Sequence, residues 1–245
     1  MPDLSLIVPT YNEAENLPEL VNRVRSAMEG YSFELIFVDD DSPDHTAAVA
    51  ERLKSECPIK LVVRYRERGL SSAVLTGFGH ASGPVLGVLD ADLQHPPEHL
   101  RSMLMEIHRG ADLAVASRYG PGGREVGGGV ARKIMSRAAT LLARAVLSSA
   151  RMTPDPLSGF FLLRRDVVDG VELKPVGYKI LLEVLSRGRA RRVKSLPYVF
   201  HQRKRGDSKF GWREQAKSLG HMLRLAFAEF RGVRLFRLGR KTGDG

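Results

Sequence analysis

Cysteine is almost absent from this chain. Cys57 is the single one in 245 residues, so neither an internal disulfide framework nor a cysteine-built zinc cluster is available. Such a lone cysteine is expected to act as a small apolar side chain. Long apolar runs are missing too. No stretch approaches about 18 uncharged apolar residues, so no spanning helix is expected, and the longest candidate, 138–150, is interrupted by Arg144. Met1 to Asp3 lead at once into a short apolar run, without the basic and apolar regions of a secretory signal. Aromatics make up only 7% of the chain. A nucleic-acid-binding protein would interleave basic residues with exposed aromatics, so nucleic acid is not an expected partner.

Three motif absences narrow the chemistry. The first strand-to-helix turn, "PTYNEAENL" (9–17), contains no glycine. A dinucleotide-binding turn needs glycines there for the pyrophosphate to approach the backbone. No Gly-x-x-x-x-Gly-Lys-Ser/Thr loop and no Gly-x-Ser-x-Gly elbow occurs either. The seven histidines form no metal-ligand spacing, although His95 falls near a candidate metal site.

What is present reads as an α/β domain with an appendage. Hydrophobic residues make up 43% and charged residues 27%, which suits a globular chain with a sizeable core. The net charge is +10, and 203–245 carries 12 Lys/Arg against 4 Asp/Glu. A basic tail of this kind serves anionic lipid, nucleic acid or solubility.

Over the first 120 residues, strand and helix patterns alternate. Strands are expected at 4–10, 33–40, 59–65, 84–92 and 112–118, with helices at 12–28, 44–56, 71–81 and from Pro96 onward. Asp44 is placed to cap the second helix. This order implies a mostly parallel sheet with helices on both faces. Beyond it, six glycines in 120–129 read as a mobile loop. A helix is expected at 130–147, a strand within 155–165, a helix at 177–188 and a strand at 191–200. The loop 201–211 leads to a last amphipathic helix from about Trp212 to Phe230, with Leu219, Met222, Leu223, Ala226 and Phe230 on one face. That face suits packing on the core, an interfacial contact with a membrane, or a membrane partner subunit.

Open sheets of this kind bind ligands beyond the carboxyl ends of their strands. Three acidic segments fall there: the turn after Thr10, Asp39-Asp40-Asp41, and Asp90-Ala91-Asp92. Asp90 and Asp92 are hard oxygen ligands suited to Mg²⁺ or Mn²⁺, and Gln94 adds an amide oxygen. Asp-x-Asp alone also suits a solvated turn; its place after a buried strand favours a site. Of the three aspartates at 39–41, Asp40 is the chosen ligand contact. Tyr11 can stack on a base, and Glu13 can bind ribose or base. Arg118, Arg132, Arg203 and Lys209 fall on loops at the same end, where a phosphate substrate needs them.

Together these segments resemble the family 2 inverting glycosyltransferases, which have the GT-A fold, and more closely the polyprenol-phosphate mannose synthases. The resemblance rests on "PTYNEAENL", "VDDDSPD" (38–44), "DADLQHPPE" (90–98), "SRY" (117–119), "RKIMSR" (132–137), "DPLSGFF" (155–161), "GYKILLEVL" (177–185) and "RGDSK" (205–209). It implies a GT-A catalytic domain over 1–210 and a basic amphipathic tail over 211–245, without a transmembrane helix. It further implies transfer of mannose from GDP-mannose to a polyprenyl phosphate with inversion, giving GDP. A glucosyl or aminosugar transferase using a UDP-sugar is the alternative.

Roles follow from the resemblance residue by residue. Pro9, Tyr11, Glu13, Val38 and Asp40 would hold the nucleoside. Asp90, the Ala91 backbone, Asp92 and Gln94 would hold metal and diphosphate. Arg118, Arg132, Ser136 and Lys179 would meet the acceptor phosphate, Arg118 also touching the donor. Arg203 and Lys209 would complete the nucleotide-sugar contacts. Asp90, Asp92, Arg118 and Arg132 form the implied catalytic set, with Mg²⁺ or Mn²⁺ as cofactor. The chain is expected in the cytoplasm, peripheral on the cytoplasmic face of a membrane, held by the surface or by a small membrane partner subunit.

Overall fold

A computed structural model of the chain describes residues 1–127, 129–174, 177, 179–200, 220–227 and 229, with the backbone alone for residues 131 and 132. Its elements are β1 (Leu4–Thr10), α1 (Leu17–Ala27), β2 (Phe33–Asp39), α2 (Thr46–Leu53), β3 (Ile59–Val63), α3 (Leu70–His80), β4 (Val85–Val88), α4 (Leu100–His108), β5 (Leu113–Ser117), β6 (Arg124–Glu125), α5 (Val130–Val146), β7 (Phe161–Arg164), α6 (Ile180–Arg187), β8 (Val193–Pro197) and β9 (Val199–Phe200). Seven strands form one sheet in the order β3-β2-β1-β4-β7-β5-β8. All run parallel except β7, which is antiparallel to both β4 and β5.

The alternating side-chain direction of the strands divides the core into two layers. On β1, Leu4, Leu6 and Val8 join Leu35 and Phe37 of β2 under α1 and α4. Ile7, Ile36 and Val38 face the other way, under α3 and α6. Burial on both faces explains why these strands read as continuous apolar runs. Gly77 lets α3 lie close to β1: a Cβ there would stand 2.4 Å from Ile7 Cγ2.

The expected elements recur with shorter bounds, and three details differ. Pro97–His99 form a 3-10 turn before α4 rather than its first turn. The glycine-rich segment is tethered as well as turned, because β6 pairs with β9 in a small second sheet. The expected strand at 191–200 divides at Tyr198 between the two sheets.

The tail meets the core through the described segment 220–227. Met222 and Leu225 are buried against Ala143, Leu147 and Leu182. His221 Nε2 lies 2.7 Å from Glu183 Oε2 on α6, and Glu229 accepts bonds from Ser148 and Ser149. Leu223, expected on the same face as Met222, is instead 59% exposed, and Leu225 takes its place inside. Leu219 and Phe230 lie outside the described residues. Among the described residues no helix is long and apolar enough to cross a membrane.

Candidate active site

Because β1, β2, β4 and β5 are parallel, their carboxyl ends open on one edge of the sheet. The reversed β7 brings its amino end to that edge, and with it the preceding loop 155–160. Residues distant in sequence meet there as a result. Four non-glycine residues have positive φ among those described: Asn12 (57°), Asp41 (55°), His45 (66°) and Leu93 (60°). All four lie just beyond β1, β2 or β4. Such backbone is sparsely populated and concentrates at ligand-binding loops.

Beyond β2 the three adjacent carboxylates are separated by their partners. Asp39 accepts bonds from Thr10 Oγ1 (2.9 Å), Ser42 N (2.9 Å) and Ser42 Oγ (2.6 Å), tying the end of β1 to the loop after β2. Asp40 accepts from Arg64 Nε (2.8 Å) and Gly69 N (2.7 Å). Asp41 is exposed. Asp44 stands one residue before His45, the N-cap of α2, and accepts from Thr46 N (3.0 Å). The nearby Glu13 is buried, and its Oε2 accepts from Asn16 Nδ2 (2.6 Å). Pro9 is half-buried and Val38 buried, while Tyr11 has the Arg68 guanidinium 5.2 Å over its ring.

After β4 burial alternates residue by residue. Ala91, Leu93, His95 and Pro97 are buried, whereas Asp90, Asp92 and Gln94 are half-buried. The three oxygen-bearing residues are thus less enclosed than the apolar and aromatic ones between them. Asp92 Oδ1 accepts from Gln94 N (3.1 Å). Asp90 Oδ2 stands 3.4 Å from His95 Nε2. Its Oδ1 is buried without a hydrogen-bond partner, a costly condition for a carboxylate oxygen unless a donor or cation meets it.

Beside it lies a charged knot. Arg118 grips Asp155 with Nε (2.8 Å) and Nη2 (2.9 Å), and its Nη1 reaches Glu125 (3.2 Å) and Ser136 Oγ (3.5 Å). Burial opposes the Arg118 charge, but Asp155 outweighs it and raises the guanidinium pKa above its ordinary value. Tyr119 OH lies 2.9 Å from Ser136 Oγ. Lys179, just before α6, belongs to the same cluster. Burial, helped by Arg118, lowers its ammonium to about 8 against the opposing pull of Asp155 and Asp90.

The structure thus brings together Asp90, Asp92, Gln94, Arg118, Ser136 and Lys179 of the expected set. Arg132 stands in the first turn of α5, one turn before Ser136; Arg203 and Lys209 lie outside the described residues. Arg64, Glu125 and Tyr198 were not singled out from sequence as site residues. Nor was Asp155, although "DPLSGFF" was noted as a motif. The signal for Tyr198 was faint: one of two aromatics in an alternating strand.

A divalent cation fits this chemistry. The orphaned, buried Asp90 Oδ1 needs a donor or a cation. Among the described residues no three His, Cys, Asp or Glu side chains converge as a closed cage. Two carboxylates and an amide would leave coordination positions for phosphate oxygens, as Mg²⁺ and Mn²⁺ favour.

A mostly parallel sheet with paired carboxylates beyond a central strand and cations alongside suits a group transferase. Residues 5–171 match glycosyl transferase family 2, and the chain belongs to that family. It is 46% identical over 222 residues to a dolichol-phosphate mannosyltransferase of Pyrococcus furiosus, covering 91% of this chain and 63% of that protein. A polyprenol monophosphomannose synthase of Mycolicibacterium smegmatis is 36% identical over 214 residues, covering 83% and 79%. Among solved structures, glucosyl-3-phosphoglycerate synthase from Mycobacterium tuberculosis, bound to Mn²⁺, UDP-glucose and phosphoglyceric acid, superposes with a TM-score of 0.69 at 18% identity. That match covers 93% of this chain and 79% of the other. The shared fold is GT-A.

Proposed function

We propose that the chain transfers mannose from GDP-mannose to a polyprenyl phosphate with inversion, releasing GDP. The observation that carries this reading is the adjacency of an open two-carboxylate site at Asp90 and Asp92 to the Arg118–Ser136–Lys179 cluster. One part suits a donor diphosphate; the other suits an acceptor phosphate. The names of the relatives matched over most of this chain support the sugar and the lipid.

In this reading Pro9, Tyr11, Glu13, Val38 and Asp40 line the nucleoside side. Asp90, Asp92 and Gln94 hold Mg²⁺ or Mn²⁺, which when bound stabilises charge on the departing diphosphate. Arg118 is held rigid by Asp155, so it meets an incoming phosphate without reorganising. Ser136 and Lys179 add donors on the same side, and Arg132, Arg203 and Lys209 complete the phosphate contacts. The acceptor phosphate is already anionic near neutral pH, so positioning for in-line attack at the anomeric carbon is the main task of these residues.

The membrane contact is assigned to α5 and the docked tail. Val130, Ile134 and Leu141 recur along one side of α5 and are 73%, 62% and 65% exposed; Phe227 is 62% exposed. Lys133 and Arg137 flank them. Exposed apolar side chains among cations suit an anionic lipid surface on the cytoplasmic face, with or without a small membrane subunit. A donor panel with Mn²⁺ and a short polyprenyl phosphate tests the reaction. Turnover of GDP-mannose, abolished by EDTA, is expected; turnover of UDP-glucose alone would overturn the donor assignment.

A further inference from the structure

We propose that His95 and Tyr198 act as a positioning pair that aims the Asp90 carboxylate at the metal. The proposal rests on the reading of Asp90 as a metal ligand. His95 is 4% exposed and boxed by rings. Its centroid lies 5.8 Å from Phe160, 5.5 Å from Tyr198 and 5.3 Å from Phe200. The ring is packed among aromatic neighbours.

Its two nitrogens have different partners. Nδ1 is 2.8 Å from Tyr198 OH, and Nε2 is 3.4 Å from Asp90 Oδ2. In the proposed arrangement the Tyr198 phenol, protonated near neutral pH, donates to Nδ1. A neutral imidazole accepting at Nδ1 carries its hydrogen on Nε2. The opposite tautomer would turn a lone pair toward the Asp90 carboxylate. Tyr198 thereby selects the tautomer that turns an N–H toward Asp90.

Asp90 Oδ2 is confined from another side as well. A Cβ at position 159 would stand 2.6 Å from it, so Gly159 forms a close wall. With Oδ2 enclosed by His95 and Gly159, Oδ1 is left as the buried, unpartnered oxygen for the cation. Tyr198 is itself anchored through its backbone. Its N–H donates to Ser117 O (3.1 Å), and its carbonyl accepts from Arg124 N (3.1 Å). The phenol is thus placed by the segment that presents Arg118 and by the glycine-rich loop.

Partners behind a metal ligand typically alter affinity by about 10–100-fold when removed. Two amide substitutions separate the roles of the ring nitrogens. His95→Gln keeps a donor near the Nε2 position; His95→Asn keeps a group near Nδ1 but withdraws from Asp90. Both lose the ring, so packing loss alone would move them together. Mn²⁺ binding to the full chain, read from the EPR signal of free Mn²⁺ with and without GDP, is the measurement. His95→Gln is expected to stay within about threefold of wild type, His95→Asn to bind about tenfold more weakly, and Tyr198→Phe to fall between them. Melting temperatures of the two His95 variants should match. Equal Mn²⁺ affinities for His95→Gln and His95→Asn would overturn the pair's role while leaving the metal site standing. A wild-type chain that bound no Mn²⁺ under either condition would overturn the metal reading and this proposal with it.

Discussion

Asp39 and Asp40 are neighbours in sequence but lean on different partners, and that separation relieves their mutual repulsion. Asp39 holds Thr10 and Ser42; Asp40 holds Arg64 and the Gly69 amide. Asp90 is different, since one of its oxygens has nothing to hold. Energetic weight differs in the same way among the arginines. Arg23–Glu98 is bidentate but largely solvent-facing, a type of pair worth about 0–1 kcal/mol. Arg118–Asp155 is buried, and removing one partner from such a pair costs about 3–5 kcal/mol. Asp92 is half-buried on the turn beyond β4, outside the packed core of the sheet. Asp92→Ala is therefore expected to abolish transfer while shifting the melting temperature by less than about 3 °C, checked by product formation and thermal unfolding side by side. Retained activity would contradict the assigned role. Asp90, Asp92 and Gln94 were singled out in the sequence because two carboxylates one residue apart, with an amide two residues on, follow a buried strand. Asp155 and Tyr198 acquired no role until the fold was known. Both reach the site only because β7 runs against its neighbours and the chain changes sheets at Tyr198.

At the scale of elements, the helix periodicities and buried strands were readable and the tertiary tethers were not. Six glycines suggested a free loop, yet Arg124 N and Val126 N bond to Tyr198 O and Phe200 O. The sequence put Met222 and Leu223 on one apolar face of the tail helix; that Leu225 rather than Leu223 is buried beside Met222 depends on α5 and α6 already being in place. Glu183 completes that docking. Fully buried on α6, it takes the Lys174 N–H (2.7 Å) and His221 Nε2 (2.7 Å), with Arg187 Nε also 2.7 Å away. Burial alone would raise its pKa, but these partners lower it below the ordinary 4.5. The native state then holds fewer protons than the unfolded one. Its contribution is full above about pH 4.5 and is lost as pH falls through the lower native value. Glu183→Gln should cost on the order of 2 kcal/mol at pH 7. In urea unfolding, the gap from wild type should shrink below pH 4.5. A gap that does not change with pH would contradict the account of this contact.

At the scale of the molecule, one helix faces two ways. α5 carries Ser136 into the Arg118 cluster and presents Val130, Ile134 and Leu141 outward. A lipid phosphate could then meet Arg118 while its prenyl chain stays with the membrane. Joint replacement Ile134→Glu and Leu141→Glu is expected to lower binding to anionic vesicles by tenfold or more, since about 1.5–3 kcal/mol of burial per side chain is lost. Turnover of a short, soluble acceptor should be little changed. Unaltered vesicle binding would move the contact to another face. The sheet order, with β4 and β5 separated by the reversed β7, is what sets the carboxylates proposed for the donor beside the cations proposed for the acceptor. A crystal structure with GDP-mannose and Mn²⁺ tests that arrangement most directly. The account predicts that Asp90 and Asp92 would hold Mn²⁺ beside the donor diphosphate, with the sugar on the Arg118 side. A nucleotide-sugar bound away from Asp90 and Asp92, or a sugar turned from Arg118, would contradict it.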